Sequence, residues 1–588
     1  MCNGFDKLDE NISVYSDNKL ILQIISLMKQ HGILSVVISP GSRHYPLVRS
    51  LERDPDFSLY SVVDERSAAF FALGLIQNSG APVAVCCTSG TSAINYGSAV
   101  VEAFYQGLPL VVLTADRLPE LLNQKEEQMF LQKDVYDGFI RYQGQLPEVK
   151  DGLSEWYCNR VINEAFLELD HHGRGPVHLN FPVESHHTDK FSTESLPKVR
   201  KISRVRGDDD PEIWQRYASW LSGRKIMIVW GQSAPTDEAL SRAVERFIER
   251  FDCVILADKL SNCHTSRTIE TAYLALRSMT LEQTTELAPD VVITLFGNYT
   301  FNGELKGYLS STGRPFEVWD LGTSRVSDPF RRLSTVFEVR ERFFFEKMCE
   351  QAEQQGGMDY YEAWSEVDGA IEEPQVDFGE IHAVGQLVRK LPKNAQLHIA
   401  NSLPIRMVHL FRSDPSVTAY CNRGVNGIDG CMSAAVGFAA ATSDPVYLVI
   451  GDLTFFYDMN ALWNRHLSKN LRILMLNNEG GGVMHMPLSE GLAPQLSRHI
   501  SAGHATSAKG WVESVGFRYL AATTREECDA AIDVLTNPAE SGPILVEVFS
   551  VKEDDVRQLK TYLQELDKLT FGDRVRRRLR RKLPKLFR

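Results

Sequence analysis

The fold is decided by two stretches of sequence, residues 449–453 (VIGDL) and residues 477–482 (NNEGGG). The first stretch includes the end of an apolar run at 446–450, and the second follows an apolar run at 473–476; each run has the length expected for a buried β-strand. A strand that leads into a helix and then into a second strand predicts parallel pairing of the two strands. Their carboxyl ends would then lie side by side, so that the polar residues after them meet at one edge of a sheet.

Those polar residues suit a divalent cation. Asp452 offers a carboxylate, Asn478 an amide oxygen and Gly480 a backbone carbonyl, and Mg²⁺ or Mn²⁺ accepts such hard oxygen ligands. A helix predicted to begin near Thr454 would direct its amide end to the same place, which favours a diphosphate group. Because a Gly-Asp pair after a strand is also common in ordinary turns, only its combination with the Asn-Asn stretch favours a metal site.

The chain has 588 residues, several times the roughly 150 expected of one domain, so several domains are expected. Its composition, 43% hydrophobic and 24% charged, excludes a disordered chain, a fibre and a disulfide-stabilised miniprotein. The apolar runs are strand-sized and far shorter than the ~20 residues that cross a bilayer. Residues 1–17 are polar and acidic, unlike a signal peptide. We therefore expect a cytoplasmic protein.

Charge is distributed unevenly along the chain. The formal net charge of −13, from 63 basic and 76 acidic residues, argues against a general nucleic-acid binder. Residues 573–588 nevertheless contain nine Lys or Arg and one Asp, with Val575, Leu579 and Leu583 on one helical face. This pattern predicts a basic amphipathic helix that could rest on an anionic membrane surface. A disordered solubilising tail and a contact with nucleic acid or a partner protein are the alternatives.

Alternating helical and strand patterns predict an α/β fold, with three doubly wound parallel-sheet domains and a basic tail. The predicted limits are domains at 1–191, 213–350 and 378–552, linkers at 192–212 and 351–377, and the tail at 553–588.

A second candidate catalytic group is Glu65, within residues 62–69 (VVDERSAA). This acid ends a predicted strand and opens an apolar helix. Taken alone, a glutamate at a helix N-terminus is explained by its favourable interaction with the helix dipole. Its presence in a chain that also carries the predicted metal site favours a functional role.

Other candidate sites are weaker. The ten cysteines include no C-x-x-C pair, which predicts buried free thiols rather than a metal cluster. The histidine pairs at 171–172 and 186–187 lack the spacing of zinc ligands. Gly231 and Gly297 end predicted strands but open no G-x-G-x-x-G motif, which argues against a flavin or nicotinamide site.

The Gly-Asp and Asn-Asn stretches together resemble the signature of thiamine-diphosphate enzymes, with Leu453 in place of its third glycine. Further motifs narrow the resemblance to the MenD family, the 2-succinyl-5-enolpyruvyl-6-hydroxy-3-cyclohexene-1-carboxylate synthases of menaquinone biosynthesis. They are SPGSR at 39–43, DER at 64–66, TSGT at 88–91, TADR at 114–117, NS at 401–402, NRG at 422–424, GIDG at 427–430 and GDL at 451–453. The similarity covers roughly residues 15 to 550.

The resemblance implies a pyrimidine-binding first domain and a diphosphate- and Mg-binding third domain, with active sites formed between the subunits of a homodimer or homotetramer. It also implies thiamine-diphosphate-dependent decarboxylation of 2-oxoglutarate, the 2-oxo acid donor, and addition of the succinyl carbanion equivalent to isochorismate, the anionic acceptor. The implied substrate-binding residues are Ser42, Arg43, Arg117, Gln128, Ser402, Arg406 and Arg423. The implied cofactor-binding residues are Glu65 (which activates the aminopyrimidine ring), Ile428, Gly451, Asp452, Leu453, Asn478, Gly480 and Val483.

The chain departs from the family pattern at two places. Gly303 or Glu304 occupies the position of a substrate-contacting lysine, and Val483 and Met484 stand where the family usually has Ile and Phe. Loss of one charged hydrogen bond would weaken binding of a carboxylated ligand by about 1.5–3 kcal/mol. Two alternatives therefore stay open: a related enzyme with another acceptor, for example in surface-polysaccharide synthesis, and an inactive relative that serves as a membrane-tethered interaction protein.

Overall fold

The computed structural model describes residues 15–183, 190–202, 211–323, 327–330, 332–351, 356–486, 498–569 and 572–573. The chain divides into two compact units, one of residues 1–206 with 463–467 and one of residues 207–462 with 468–588. The second histidine pair and the basic residues from 574 onward lie outside the described residues.

The first unit is built on one six-stranded parallel sheet, in the order β2-β1-β3-β4-β6-β5. Its strands are β1 Ser35–Ile38, β2 Ser58–Ser61, β3 Val83–Cys87, β4 Leu110–Asp116, β5 Tyr142–Gln145 and β6 Val177–Pro182. Its helices are α1 Lys19–Gln30, α2 Tyr45–Glu52, α3 Glu65–Ser79, α4 Thr91–Asn95, α5 Gly97–Gln106 and α6 Gly152–Glu168, with a 3₁₀ turn at Pro119–Leu121. Asn18 and Asp64 cap α1 and α3 by accepting backbone N–H bonds, which explains where these helices begin.

The second unit holds two such sheets, and the first of them has the order β12-β11-β10-β7-β8-β9. Its strands are β7 Ile226–Trp230, β8 Cys253–Leu256, β9 Thr268–Ile269, β10 Val291–Leu295, β11 Glu317–Leu321 and β12 Leu333–Phe337. Its helices are α7 Pro211–Leu221, α8 Glu238–Arg250, α9 Ala272–Ser278, α10 Leu281–Glu286, α11 Asn302–Leu309, α12 Glu341–Glu350 and α13 Asp359–Gly369, with a 3₁₀ turn at Lys259–Ser261.

The other sheet of this unit has the order β14-β13-β15-β16-β18-β17. Its strands are β13 Gln396–Ile399, β14 Thr418–Tyr420, β15 Val446–Gly451, β16 Leu471–Asn477, β17 Arg518–Ala522 and β18 Ile544–Phe549. Its helices are α14 Glu380–Lys390, α15 Leu403–Val408, α16 Cys431–Ala440, α17 Asp452–Tyr457, α18 Lys509–Ser514, α19 Arg525–Thr536 and α20 Lys552–Leu566, with 3₁₀ turns at Met459–Leu462 and Gly482–His485.

Alternate residues of the central strands supply cores on both faces of their sheet. In β7, Ile226, Ile228 and Trp230 join one buried cluster, whereas Met227 and Val229 join another. A strand that is apolar at every position is therefore buried on both sides by helices, as in doubly wound sheets. The three parallel sheets of the described residues confirm the predicted α/β fold class.

Two predicted boundary segments pack differently from the prediction. Residues 351–377 were expected to form a linker, yet α13 within them buries Trp364 completely in the core of the middle sheet. The predicted tail begins at 553, yet Leu559 and Leu563 of α20 are buried in the core of the last sheet. The many polar residues of these segments concealed both helices, because a few well-placed apolar residues are enough to bury one face. The domain limits themselves stay predictions.

The described cysteines are free, and all but Cys349 are buried, in agreement with the predicted thiols. Within the same ranges, none of the helices combines the length and the apolar character required to span a lipid bilayer.

Gly231 and Gly297 follow the adjacent strands β7 and β10 and approach each other closely. A Cβ atom on Gly231 would stand 1.9 Å from the carbonyl oxygen of Gly297. Gly231 N also donates a hydrogen bond to Leu295 O at 3.0 Å. These glycines are thus explained by backbone packing at the strand ends.

We expect Gly231→Ala to lower the free energy of unfolding by about 2–3 kcal/mol, because the added methyl group overlaps backbone atoms that cannot move aside. Urea denaturation followed by circular dichroism measures the change. Gly303→Ala, at an open position of α11, is the matched control and should leave stability unchanged or slightly raised. Equal effects of the two substitutions would contradict the packing explanation.

Candidate active site

Strands β15 and β16 pair in parallel, with Gly451 opposite Leu476. Asp452 therefore leaves the sheet at the carboxyl end of β15, and Asn478 leaves it next door, one residue after β16 ends at Asn477. The structure thus brings together the two strand ends that the sequence predicted to be neighbours. In open α/β sheets this edge is where ligands usually bind.

The Asp452 carboxylate is buried and held in place from three sides. Oδ1 accepts a hydrogen bond from Leu453 N at 2.6 Å, and Oδ2 accepts one from Gly480 N at 2.8 Å. His504 Nε2 lies 3.3 Å from the same Oδ2. The helix α17 begins at Asp452 itself, two residues earlier than predicted, and is only six residues long.

Asn478 is 5% exposed, and the nitrogen and the oxygen of its side-chain amide differ in their hydrogen bonding. Nδ2 donates to Glu380 Oε1 at 3.0 Å, whereas Oδ1 is buried and has no hydrogen-bond partner among the residues that the structure describes. The Gly480 carbonyl accepts a bond from Gly482 N at 3.1 Å, which leaves one further lone pair. Gly480 has φ +144°, and a Cβ there would stand 2.7 Å from Ser501 O, so the loop requires glycine.

These residues fit a divalent metal ion. A buried amide oxygen without a partner costs about 1–3 kcal/mol, and a cation at that oxygen would remove this cost. Carboxylate, amide and carbonyl oxygens are the donor set that Mg²⁺ takes when phosphate oxygens and water complete its coordination. Among the described residues, no group of three His, Cys, Asp or Glu side chains is arranged for a metal.

Buried carboxyl groups accumulate beside this cluster. Burial raises the pKa of Asp452, against the effect of the backbone N–H bonds from Gly480 and Leu453. Burial, together with the neighbouring Asp555 and Asp452, raises the pKa of Glu380 well above its usual range. Burial likewise raises the pKa of Asp555 to about 6. A divalent cation would favour the ionised form of the acid that it touches.

The other predicted cofactor-binding residues of this unit surround the two strand ends. Gly451 is the last residue of β15 and Leu453 the second residue of α17; a Cβ at Gly481 would lie 3.6 Å from Leu453 Cδ1. Ile428 lies in the loop between β14 and α16, half-buried. Val483 packs against the core of the sheet from the Gly482–His485 turn, and the neighbouring Met484 is 46% exposed.

In the first unit, the predicted motifs follow strands at one edge of the sheet. SPGSR follows β1, DER follows β2, TSGT follows β3 and TADR ends β4. Glu65 is the first residue of α3 and is half-buried, after the cap residue Asp64, whose Oδ1 accepts from Ser67 N at 2.9 Å. The helix-terminus interpretation of Glu65 and its catalytic interpretation are therefore both compatible with its position.

Two of the predicted substrate arginines lie at this edge. The buried Arg43 donates from Nε to Ser89 Oγ at 3.0 Å and from Nη1 to Val183 O at 3.1 Å. Burial, and next the charge of Arg117, lowers the pKa of Arg43. Arg117 forms an ion pair with Glu126 at 3.0 Å, and its Nε donates to Glu127 O at 2.8 Å.

The two neutral residues predicted with these arginines are exposed. Ser42 precedes Arg43, and Gln128 follows Glu127 in the loop after β4. Gln128 has φ +49°. Its backbone lies close to Gly90, since a Cβ added at Gly90 would stand 3.3 Å from the Gln128 carbonyl group. The structure therefore places Ser42, Arg43, Arg117 and Gln128 in one part of the first unit.

The remaining predicted substrate residues follow β13 and β14. Ser402 precedes α15 with φ +80° and ψ −127°, a strained conformation for a serine. Arg406 Nη1 donates to Ser402 O, and Arg423 Nη1 donates to Asn401 Oδ1 at 3.0 Å. Burial, and next the charge of Arg423, lowers the pKa of Arg406. Arg406 is exposed and Arg423 half-buried. Two guanidinium groups that repel each other favour an anionic ligand.

Glu304, one of the two residues predicted at the position of the family's lysine, is paired with a residue that sequence reasoning missed. Arg277 Nη1 on α9 lies 3.1 Å from Glu304 Oε1 on α11, and the Arg277 Nε is buried without a partner. Glu304 is also close enough to Arg406 to act on its pKa. Arg277 thus offsets the negative charge of Glu304. The loss of positive charge predicted at the position of the family's lysine is therefore smaller than the sequence suggested.

Sequence reasoning also missed Glu380 and His504, which contact the predicted metal ligands Asn478 and Asp452. Neither lies in a motif, and both reach the strand ends from distant parts of the chain.

Comparisons with known proteins agree with this geometry. Residues 19–135 match the family model for the thiamine pyrophosphate enzyme N-terminal TPP binding domain, and residues 404–548 match the model for the C-terminal TPP binding domain. The two matches contain the strand ends described above in the first and the last sheet.

Curated relatives share almost the whole chain. The 2-succinyl-5-enolpyruvyl-6-hydroxy-3-cyclohexene-1-carboxylate synthase of Phocaeicola vulgatus is 40% identical over 561 residues, 94% of this chain and 99% of the relative. The synthase of the same name from Bacteroides thetaiotaomicron is 40% identical over 564 residues, 94% and 100% of the two chains. That of Flavobacterium johnsoniae is 31% identical over 572 residues, again 94% and 100%. The predicted resemblance is confirmed: the chain belongs to the 2-succinyl-5-enolpyruvyl-6-hydroxy-3-cyclohexene-1-carboxylate synthase family of thiamine pyrophosphate enzymes.

Proposed function

We propose that the protein uses thiamine diphosphate and Mg²⁺ or Mn²⁺ to decarboxylate 2-oxoglutarate and to transfer the remaining four-carbon unit to isochorismate, in menaquinone biosynthesis. The observation that carries the proposal is the cluster of Asp452, Asn478 and Gly480 at two neighbouring strand ends, with one buried amide oxygen left without a partner. Family membership supplies the reaction. When bound, thiamine diphosphate provides the carbon nucleophile and the electron sink that decarboxylation of a 2-oxo acid requires.

Asp452 Oδ1 or Oδ2, Asn478 Oδ1 and the Gly480 carbonyl would hold the metal, which in turn neutralises the diphosphate charge. The hydrogen bonds from Leu453 N and Gly480 N keep the Asp452 carboxylate fixed before any ligand arrives. Gly451, Leu453, Ile428 and Val483 would contact the coenzyme through backbone and apolar atoms. Such preorganisation avoids the cost of rearranging the site when the ligands bind.

Glu65 would exchange a proton at its carboxyl oxygen with the aminopyrimidine ring of the coenzyme. Its position as the first residue of α3 fixes the direction of its backbone, and the Asp64 cap fixes the start of the helix. A positioned carboxyl group contributes typically 10²–10⁴-fold to a proton-transfer step.

The arginines would bind the carboxylates of both substrates. Arg43, Arg117, Arg406 and Arg423, with Ser42, Gln128 and Ser402 as neutral donors, form two groups of anion-binding side chains. Planar guanidinium groups bind carboxylates through paired hydrogen bonds, and this geometry also orients the substrate.

We also propose that the enzyme is a homodimer or homotetramer in which Glu65 of one subunit serves the metal site of another. Three large apolar side chains of the first unit, Val63, Ile94 and Leu131, are each more than half exposed in the single chain, and a second subunit would cover them. Size-exclusion chromatography with light scattering tests the assembly. A cytoplasmic location, with contact between the basic tail and a membrane, stays a prediction.

The proposed reaction is tested by following CO₂ release from 2-oxoglutarate in the presence of thiamine diphosphate and Mg²⁺. We expect release coupled to consumption of isochorismate, and no coupled release with other acceptors such as aldehydes or sugars. Coupling to another acceptor, with isochorismate ignored, would favour the related enzyme of different specificity. Failure of the protein to bind thiamine diphosphate would indicate the inactive relative.

Glu65→Gln should retain coenzyme binding within a few-fold but lower kcat by about 100-fold or more, because glutamine cannot exchange a proton. Isothermal titration calorimetry and steady-state kinetics measure the two quantities. The control is Glu155→Gln, which removes another first-turn glutamate of the same unit, in α6. If Glu65 acts only on the helix dipole, both variants will keep normal turnover.

Arg406→Met should lower kcat/KM by about 10- to 100-fold, because a charge-assisted hydrogen bond to a substrate carboxylate is worth about 1.5–3 kcal/mol. Steady-state kinetics with each substrate varied in turn shows which carboxylate depends on Arg406. Arg389→Met is the matched control, since the exposed guanidinium of Arg389, on α14, donates to the Glu373 carboxylate. A loss of the same size in the control would attribute the effect to general damage.

A further inference from the structure

The amide of Asn478 is held by a single side-chain contact. Its Nδ2 donates to Glu380 Oε1 at 3.0 Å, and both residues are at most 5% exposed. The amide oxygen on the other side has no partner among the described residues. The contact joins the loop after β16 to the first residue of α14, 98 positions earlier in the chain.

Glu380 is itself fixed through its backbone, by a contact with a carboxylate that a serine holds in turn. Its backbone N donates to Asp555 Oδ1 at 2.9 Å, and Ser550 Oγ donates to Asp555 Oδ2 at 2.6 Å. Gly379 has φ +130°, and a Cβ there would stand 2.4 Å from Asp555 Oδ1. The chain Ser550–Asp555–Glu380–Asn478 therefore connects α20 to the predicted metal site through two buried hydrogen bonds and one part-buried one.

The oxygen and the NH₂ group of a carboxamide interact differently with a cation. Oxygen can ligate a metal ion, whereas the NH₂ group presents hydrogens and would repel it. Rotation of the amide by 180° exchanges these ends at little steric cost. An acceptor placed at Nδ2 opposes this rotation, because the rotated amide would bring two oxygens together and leave the NH₂ group without its acceptor.

We propose that Glu380 is a positioning residue, which keeps the Asn478 amide oxygen directed to the metal ion. The proposal rests on the proposed function, since it assumes the metal site at Asp452, Asn478 and Gly480. Glu380 is 3% exposed, and its Oε2 has no hydrogen-bond partner among the described residues, a burial that is unfavourable for folding. In metal sites, groups that orient the ligands typically contribute 10- to 100-fold to metal affinity.

A purely structural role predicts different behaviour. Only the backbone N of Glu380 bonds Asp555, so α14 would keep this contact with any residue at 380. If the side chain merely fills space, a leucine of similar volume should serve as well for metal binding as the native residue. If it orients Asn478, only a side chain with an acceptor at the same reach will serve.

The test measures Mg²⁺ affinity of the full-length protein at a fixed, saturating concentration of thiamine diphosphate, by isothermal titration calorimetry and not by activity. Glu380→Leu and Glu380→Asp should each weaken Mg²⁺ binding by about 10- to 100-fold, because the first lacks an acceptor and the second is one methylene too short. Glu380→Gln should stay within about threefold of the native protein, because its Oε1 accepts the same bond from Asn478. Should the leucine variant fail to fold, the aspartate and glutamine variants carry the comparison.

The matched control is His382→Gln, on the same helix, where the buried His382 Nε2 lies 2.8 Å from Asp529 Oδ1 and away from the loop. It should leave Mg²⁺ affinity unchanged even if it lowers the melting temperature of the metal-free protein. Native-like affinity in the aspartate variant, or equal losses in the glutamine and aspartate variants, would overturn the positioning role. Absence of Mg²⁺ binding in the native protein itself would instead refute the proposed function.

Discussion

Parallel pairing of β15 with β16 is the constraint on which the predicted active site depends. Because Gly451 lies opposite Leu476, the two chains leave the sheet at the same level, and Asp452 and Asn478 follow at once. A slip of the register would move one of them away from the other along the strand. Such a slip would be costly, because the residues of β15 and β16 are buried on both faces of the sheet. Hydrophobic burial of these strands therefore fixes the positions of the metal-binding residues.

Charged side chains near the strand ends form two kinds of cluster, one of carboxyl groups and one of guanidinium groups. Buried carboxyl groups of Glu380, Asp452 and Asp555 lie at the predicted metal site, where a cation would offset the free-energy cost of their burial. Guanidinium groups gather at other strand ends, where anionic substrates would offset their mutual repulsion. Each cluster is therefore unfavourable by itself and favourable with its ligand, as expected of preorganised binding sites. The Arg277–Glu304 pair shows that the negative charge of Glu304 is offset by a neighbouring cation.

Most strands and the doubly wound class were predictable, because a strand buried on both faces must be apolar at every position and such runs are visible in one sequence. The strands from Val83 to Cys87 and from Cys253 to Leu256 illustrate this. Helices inside polar segments were not predictable in the same way. In α13, the three buried residues Tyr360, Trp364 and Val367 are separated by acidic ones, and the segment therefore resembled a linker. In α20, an acidic first turn concealed the buried face.

The sequence by itself determined the parallel sheets and the family, and it predicted the ligands and arginines that stand next to strand ends. These features are local, since each depends on residues within one strand and the turn after it. Only the tertiary structure decided which acid holds Asn478, which arginine neutralises Glu304, and where the predicted tail begins to pack. Those contacts join residues 98, 27 and more than 150 positions apart, and a hydrogen bond or ion pair between distant side chains leaves no periodicity in the sequence.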